Sequence, residues 1–241
     1  MRPDLSIIIP CFNEAKNISI VLNQLEQIIN QTKYNIEVVV IDGCSTDSTP
    51  IELKEKFETL PRNNFKLILN ETRGGYGADI NKALAFASGD VLSWTHADMQ
   101  TDIKDVITAF ELFKKNNNDK IIVKGRRKNR RISETFFSFG MQIAVFLLLR
   151  VNLSDINAQP KLFSKDFYNN FLKNKSPSDF SLDLFMLYQA KKNNYEIAEI
   201  PVYFKERLHG EAKGGGSFKT KIKLIFRTFA YIVKLKLIIK N

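Results

Sequence analysis

His96, Asp98 and Gln100 alternate directly behind the apolar run Val91–Leu92–Ser93–Trp94–Thr95. An imidazole, a carboxylate and an amide at that spacing can gather on a divalent cation where a strand ends. Alone, such a pattern is weak, because a histidine and an aspartate near a strand end are often incidental. The upstream sequence strengthens it. Asn13–Glu14 follows one apolar run, Asp42 a second, and Arg73–Gly74–Gly75–Tyr76–Gly77 a third. Asp42 suits hydrogen bonding to a base or ribose; its rival role is to cap the Asp42–Gly43 turn. Gly74, Gly75 and Gly77 could cradle a phosphate before a helix N-terminus. Their spacing is neither a dinucleotide fingerprint nor a P-loop, which argues against a nicotinamide dehydrogenase or an ATPase.

The elements that must position these residues alternate regularly. Strands are expected at residues 5–10, 36–41, 65–69 and 91–95, and helices at 17–29, 48–60 and 76–88. Ile18, Val21, Leu22, Leu25 and Ile28–Ile29 carry the helical period. Pro50 is compatible with a first helical turn. Such alternation predicts an α/β fold whose mostly parallel sheet has helices on both faces. Ligands in that architecture gather beyond the carboxyl ends of the strands. All the polar sets named above lie at those ends.

The 241 residues, 44% apolar and 26% charged, are ample for a folded core and unlike a disordered chain. Cys11 and Cys44 offer no disulfide framework and read as small buried thiols. The opening Met1–Arg2–Pro3–Asp4 runs straight into a strand, so a signal peptide is not expected. The formal charge of +10 is uneven: residues 124–131 hold six basic side chains, and residues 217–241 hold seven with no acidic one. An anionic partner is implied, whether nucleic acid, phosphorylated substrate or membrane. Sparse aromatic interleaving and the lack of a repeated reader motif argue against nucleic acid.

Three stretches carry a resemblance. Ser6–Ile7–Ile8–Ile9–Pro10–Cys11–Phe12–Asn13–Glu14 is similar to the opening motif of glycosyltransferase family 2. Val40–Ile41–Asp42–Gly43–Cys44–Ser45–Thr46–Asp47–Ser48–Thr49 is similar to its second motif, and Arg73–Gly74–Gly75–Tyr76–Gly77–Ala78–Asp79–Ile80–Asn81–Lys82–Ala83–Leu84 to its third. The chain most resembles the branch that glycosylates polyprenyl or dolichyl phosphate. The resemblance covers about residues 5–213 and implies a GT-A fold. Pro10, Asn13, Glu14, Asp42, Arg73, Gly74, His96 and Ala97 would line the nucleotide-sugar pocket. Asp98 would ligate the metal, with Gln100 and His96 beside it. His96 stands where the branch usually has a first aspartate, which favours Mn²⁺ over Mg²⁺.

Later segments extend the match. Asp155 is retained, while Gln159–Pro160–Lys161 replaces a usual Gly–Phe–Arg. Lys161 keeps the charge without the bidentate fork. Asp183 falls where the family has an acid facing sugar and acceptor; a helix-start charge is the plainer role. Arg207, His209 and Lys213 match a segment that closes over the diphosphate, with Gly210 and Gly214–Gly215–Gly216 as hinges. An acceptor phosphate needs a cationic clamp rather than a base, for which Lys124, Arg126, Arg127, Arg130 and Arg131 are candidates, Arg126 foremost.

The expected organisation is a transferase domain at 1–216, its nucleotide half at about 1–100 and its acceptor half at about 101–216. A basic amphipathic tail follows at 217–241. Residues 136–153 are very apolar but carry Gln142 and Arg150, and they fall short of the ~20 residues a span needs. A helix lying on the bilayer is expected there, with a buried core helix as the alternative. The tail puts Ile222, Ile225, Phe226, Phe229 and Val233 on one face, suited to an anionic lipid interface. The expected partners are a nucleotide sugar, a polyprenyl phosphate and an anionic membrane surface; nothing excludes a homo-oligomer. The expected location is peripheral, at the cytoplasmic face of the cell membrane. Two other functions stay open: sugar transfer to a glycan, glycolipid or protein hydroxyl, and a non-catalytic basic binding module.

Overall fold

The computed structural model describes residues 2–237 except Arg62, Asn117, Asp119, Arg130, Arg131, residues 206–225 and Thr228. Its strands are β1 (Leu5–Cys11), β2 (Ile36–Asp42), β3 (Phe65–Leu69), β4 (Val91–Trp94), β5 (Ile121–Lys128), β6 (Lys161–Ser164) and β7 (Glu196–Tyr203). They form one seven-stranded sheet in the order β3-β2-β1-β4-β6-β5-β7. Only β6 runs antiparallel to its neighbours; every other pairing is parallel. The sheet is mostly parallel, as the alternation predicts.

Both faces of the central strands are apolar because both are covered. In β1, Leu5, Ile7 and Ile9 enter one core cluster and Ile8 the other. In β2, Val38 and Val40 oppose Val39 and Ile41 in the same way. Helices α1 (Ala15–Gln31), α2 (Thr49–Thr59) and α4 (Asp105–Lys115) cover the first face. Helices α3 (Tyr76–Phe86), α5 (Ile132–Leu149) and α7 (Leu182–Lys192) cover the second. A short α6 (Lys165–Phe167) follows β6 and runs into a wide turn at Tyr168–Leu172. The stripe of α1 is the expected one: Ile18, Val21, Leu22, Leu25 and Ile28 are buried. Pro50 lies in the first turn of α2.

β6 and α4 carry little sequence signal. β6 is four residues long and starts with a lysine, so it carries no alternating signal. α4 buries only Val106, Ala109 and Phe110 among charged neighbours. Cys11 is buried as expected, but Cys44 is only partly so.

The apolar stretch behind β5 is buried on one part of its surface and exposed on another. In α5, Val145 and Leu149 join the core, and Leu153 beyond it does too, while Ile143, Phe146 and Leu147 are exposed. Helical residues within 226–237 bury Ile232 and Leu235 in the same cluster and expose Phe226, Phe229, Val233 and Leu237. Ile222 and Ile225 lie outside the described residues. Among those described, no helix is long and apolar enough to cross a membrane.

The insertion of β6 depends on a close backbone approach at Gly125. A Cβ there would stand 2.0 Å from the Gln159 carbonyl oxygen. Gly125→Ala should therefore destabilise the fold by about 1–3 kcal/mol, the range for overpacking. A urea midpoint equal to the parent's would show that β5 and the 158–160 turn can separate at no cost.

Candidate active site

The C-terminal ends of β1, β2 and β4 bring the expected nucleotide residues together. After β1, Asn13 takes a left-handed backbone conformation (φ 54°) and binds across to the loop after β2. Its N–H donates to Ser45 Oγ (2.8 Å), and its Oδ1 accepts from the Thr46 N–H (2.8 Å). Glu14 is buried; its N–H donates to Thr49 Oγ1 (2.8 Å), and its carboxylate accepts from Asn17 Nδ2 (2.8 Å). Asn13 and Glu14 thus hold two loops to each other. Pro10 is half-buried beside them. The Arg73 guanidinium lies 4.0 Å from the Phe12 ring centroid, a cation–π contact that fixes an otherwise exposed cation at the rim.

Asp42 takes the turn role. It is buried, and its carboxylate accepts from the N–H of Ser45 (3.0 Å) and from Ser45 Oγ. Asp79 packs behind it. A Cβ on Gly43 would meet Asp79 Oδ2 at 2.5 Å, so the glycine is required by the carboxyl that covers it. Burial, and then the charge of Asp42, push the Asp79 carboxyl up to about 6, against a bond from Asn70 Nδ2 (2.8 Å).

The glycines after β3 do not make the phosphate cradle envisaged from the sequence. A Cβ on Gly77 would stand 2.5 Å from the Asp179 carbonyl oxygen and 2.6 Å from that of Pro177. The N–H of Ala78 donates to the Ser178 carbonyl (2.9 Å). The 177–179 turn therefore seats on the start of α3, and Gly77 permits the contact. Gly74 stays exposed, with Gly75 in a positive-φ conformation (95°).

That seat delivers Tyr76 to the centre. Its ring stacks on Phe180 (5.1 Å, 10°) and on His96 (5.6 Å, 26°). Asp183, in the first turn of α7, is 3% exposed. Its Oδ2 accepts from the Tyr76 hydroxyl (3.2 Å), and its Oδ1 from Gln159 Nε2 (3.0 Å) and Lys161 Nζ (2.8 Å). Lys161 has no exposed surface, and burial pulls its ammonium down to about 8 despite the Asp183 charge. Burial, followed by the Asp183 charge, raises the Tyr76 phenol well above its ordinary range. Lys161 is thus an interior partner of Asp183, not a surface group reaching toward phosphate.

Asp98 is 7% exposed and accepts from the N–H of Gln100 (3.1 Å); Ala97 before it is buried and His96 half-buried. The Gln100 side-chain amide donates to the Lys205 carbonyl (3.3 Å), and the Lys205 N–H donates back to the Gln100 carbonyl (2.8 Å). Gln100 thereby clasps the chain where it leaves β7. Among the described residues no three His, Cys, Asp or Glu side chains cluster. One carboxylate with an imidazole nearby fits a metal whose remaining ligands are substrate oxygens, the usual manner of a hard cation at a phosphate site.

The basic run after Val123 divides in two. Lys124 is 1% exposed and pairs with Glu199 (2.8 Å). Arg127 donates through Nε to Asp155 (2.9 Å), and its N–H donates to the same carboxylate (2.7 Å). Arg126 is exposed, with Glu199 at 3.5 Å. Lys128, also exposed, shares its strand face with Arg126 and was not singled out as a phosphate ligand from the sequence. Lys124 and Arg127 are spent on structure. Arg130, Arg131, Arg207, His209, Gly210, Lys213 and Gly214–Gly215–Gly216 lie outside the described residues.

Residues 6–187 match the family model described as Glycosyl transferase family 2. The chain belongs to glycosyl transferase family 2. This family member is 25% identical over 217 residues to a dolichyl-phosphate beta-glucosyltransferase of Dictyostelium discoideum, covering 84% of this chain and 66% of that one. It is 25% identical over 209 residues to an undecaprenyl-phosphate 4-deoxy-4-formamido-L-arabinose transferase of Pseudomonas fluorescens, covering 87% of this chain and 59% of that one. It therefore spans under two thirds of the length of either relative. The fold is similar to a mannosyltransferase of Pyrobaculum calidifontis in complex with GDP-Man and Mn²⁺ (TM-score 0.68, 21% identity, 97% of this chain and 65% of that one). It is also similar to a glucosyl-3-phosphoglycerate synthase of Mycobacterium tuberculosis in complex with Mn²⁺, UDP and glucosyl-3-phosphoglycerate (TM-score 0.70, 16% identity, 96% and 80%). The architecture of this family 2 chain is GT-A.

The Asp79–Asp42 pair has a pH consequence. The folded chain holds the Asp79 proton from about 6 down, whereas the unfolded chain releases it near the ordinary value of 3.8. This group's contribution to stability is therefore full below pH 3.8 and is lost as pH rises through 6. Asp79→Asn should raise stability at pH 7.5, on the order of 2 kcal/mol. The gap between variant and parent should close toward pH 4. Denaturant titrations of both proteins across that range check it; a gap constant with pH would mean the Asp79 carboxyl carries no such shift.

Proposed function

We propose that this chain moves a hexose from a nucleotide diphosphate sugar onto the phosphate of a polyprenyl lipid, with inversion at C1. One observation carries the choice of acceptor. Both oxygens of Asp183 are occupied by donors of the protein itself. An acceptor hydroxyl needs a general base, and a carboxylate so engaged is poorly placed to be one. An acceptor phosphate is already an anion and needs only cations. The outward Arg126, with Lys128 beside it on the strand, supplies them. In the reaction a phosphate oxygen bonds to C1 while the bond from C1 to the diphosphate breaks, its electron pair leaving with the nucleotide. No enzyme nucleophile intervenes, so an α-linked donor yields a β-linked product.

On the donor side, Asn13, Glu14, Asp42 and Arg73 frame the base and ribose end, with Pro10, Gly74 and Ala97 beside them. UDP is proposed over GDP, as the resemblance to the lipid-phosphate branch implies. Asp98 would hold a divalent metal, with His96 and Gln100 nearby, and Mn²⁺ is favoured by the imidazole. When bound, that cation neutralises charge on the leaving diphosphate. Arg207, His209 and Lys213 would close over the same diphosphate.

The membrane reading rests on the exposed Ile143, Phe146 and Leu147 of α5 and on Phe226, Phe229, Val233 and Leu237 of the C-terminal helix. Exposed Lys234 accompanies them. Such faces suit peripheral attachment to an anionic bilayer on its cytoplasmic side, with residues 217–241 as the attaching tail of a transferase domain at 1–216.

The test is transfer from UDP-glucose or GDP-mannose to polyprenyl phosphate and to the matching polyprenol in anionic vesicles, read by mass spectrometry. Product should form on the phosphate only. Arg126→Ala should slow that transfer about 10-fold or more, as expected for a lost charged hydrogen bond worth ~1.5–3 kcal/mol. Its donor affinity by calorimetry should stay unchanged. Product on polyprenol alone would replace this reading with the hydroxyl-acceptor one.

A further inference from the structure

Of the three donors to Asp183, Tyr76 is the one that keeps appreciable exposed surface. Gln159 and Lys161, the other two, are 2% and 0% exposed. Tyr76 is half-buried, on the flank where His96 and Phe180 hold its ring between them. The direction of its hydroxyl proton is fixed by chemistry. Gln159 Nε2 donates to the Tyr76 oxygen (3.2 Å) as well as to Asp183 Oδ1. The phenol already accepts from Gln159, so its own proton points to Asp183 Oδ2. The ring cannot swing away without breaking two stacking contacts.

We propose that Tyr76 is a positioning residue that determines acceptor choice: its hydroxyl occupies the Asp183 oxygen on which water or an alcohol would otherwise be deprotonated. The site then discriminates by what it withholds. An acceptor bearing its own negative charge reacts without Asp183. A neutral one finds the carboxylate covered, with Lys161 donating to the other oxygen. Water is the neutral competitor always present. Were it activated, its oxygen would bond to C1, its proton would pass to Asp183 and the nucleotide diphosphate would leave, so the sugar would be lost by hydrolysis. Rejecting an acceptor by denying it a partner is a specificity device of the kind that acts against the wrong ligand rather than for the right one.

The inference rests on the phosphate-acceptor reading, but its test is separable. Tyr76→Phe keeps the ring, its stacking and its volume, and removes only the hydroxyl. With UDP-glucose and Mn²⁺ and no acceptor present, release of free glucose should rise at least 10-fold over the parent, within the range that a placed general base contributes. Transfer to polyprenyl phosphate should change less than 3-fold, so the ratio of hydrolysis to transfer is the diagnostic. Tyr76→Phe combined with Asp183→Asn should return hydrolysis to the parent level, because the amide cannot take the proton. A merely structural role would depress both reactions together and leave their ratio alone. Unchanged hydrolysis in Tyr76→Phe, or a rise that survives Asp183→Asn, overturns the proposal. Transfer of the parent to polyprenol instead of polyprenyl phosphate would overturn the function proposed above, and it is read in a separate assay.

Discussion

A lysine with no exposed surface, holding an aspartate that is itself almost fully buried, is the constraint around which the second half of this molecule is built. Lys161 begins β6, and Asp183 lies in the first turn of α7. Removing one partner of such a pair leaves a buried charge uncompensated, at a cost of ~3–5 kcal/mol. The antiparallel strand and the helix are therefore locked in register to each other. Lys161 also donates to the Ala158 carbonyl (2.6 Å), which ties the turn before β6 to the same point. Gln159, in that turn, is then within reach of both Asp183 and Tyr76.

The lock continues across the sheet as a row of charges. Lys161 is the register partner of Lys124 on β5, and Lys124 that of Glu199 on β7. Two buried ammonium groups in adjacent strands would repel, and each is answered on its own far side, by Asp183 and Glu199. Burial lowers the affinity of Lys124 for its proton, and Glu199 restores part of it. Glu199 in turn accepts from Ser154 Oγ. The row stands where β4 and β6 meet, with Trp94 opposite Lys161. Everything that reaches further along β5 projects past this neutralised row, which is why Arg126 and Lys128 meet solvent as cations while Lys124 does not.

The sequence exposed the first half of the chain better than the second, for a physical reason. The strands of the first half are unbroken apolar runs, and their polar ends are contiguous in the chain, so Asn13, Asp42, Arg73 and Asp98 can be placed at strand ends from pattern alone. The carboxylate of Asp42 shows the limit: its Ser45 partner is local, and the pattern could not decide between turn and ligand. In the second half the deciding contacts are remote. Tyr76 lies 107 residues from Asp183 and 83 from Gln159. The basic run from Lys124 reads as one cationic patch until Glu199 and Asp155 are brought beside alternate members of it. The signal that was present is the two-residue period of a strand, which puts Arg126 and Lys128 on one face and Arg127 on the other.

The two halves meet at the Phe180–Tyr76–His96 stack. Phe180 leads into α7, Tyr76 opens α3, and His96 begins the metal motif after β4. A glycine in the first turn of α3 is what lets the three elements converge. Gly77 admits the 177–179 turn onto the start of α3, and that turn sets the position of Phe180. A side chain at position 77 would lift α7 away from α3 and open the Tyr76–Asp183 bond. It would equally take Phe180 off the ring against which His96 rests. The placing of Asp183 and the placing of His96 are thus mechanically one problem in this fold, joined through a single tyrosine whose hydroxyl meets one and whose ring meets the other.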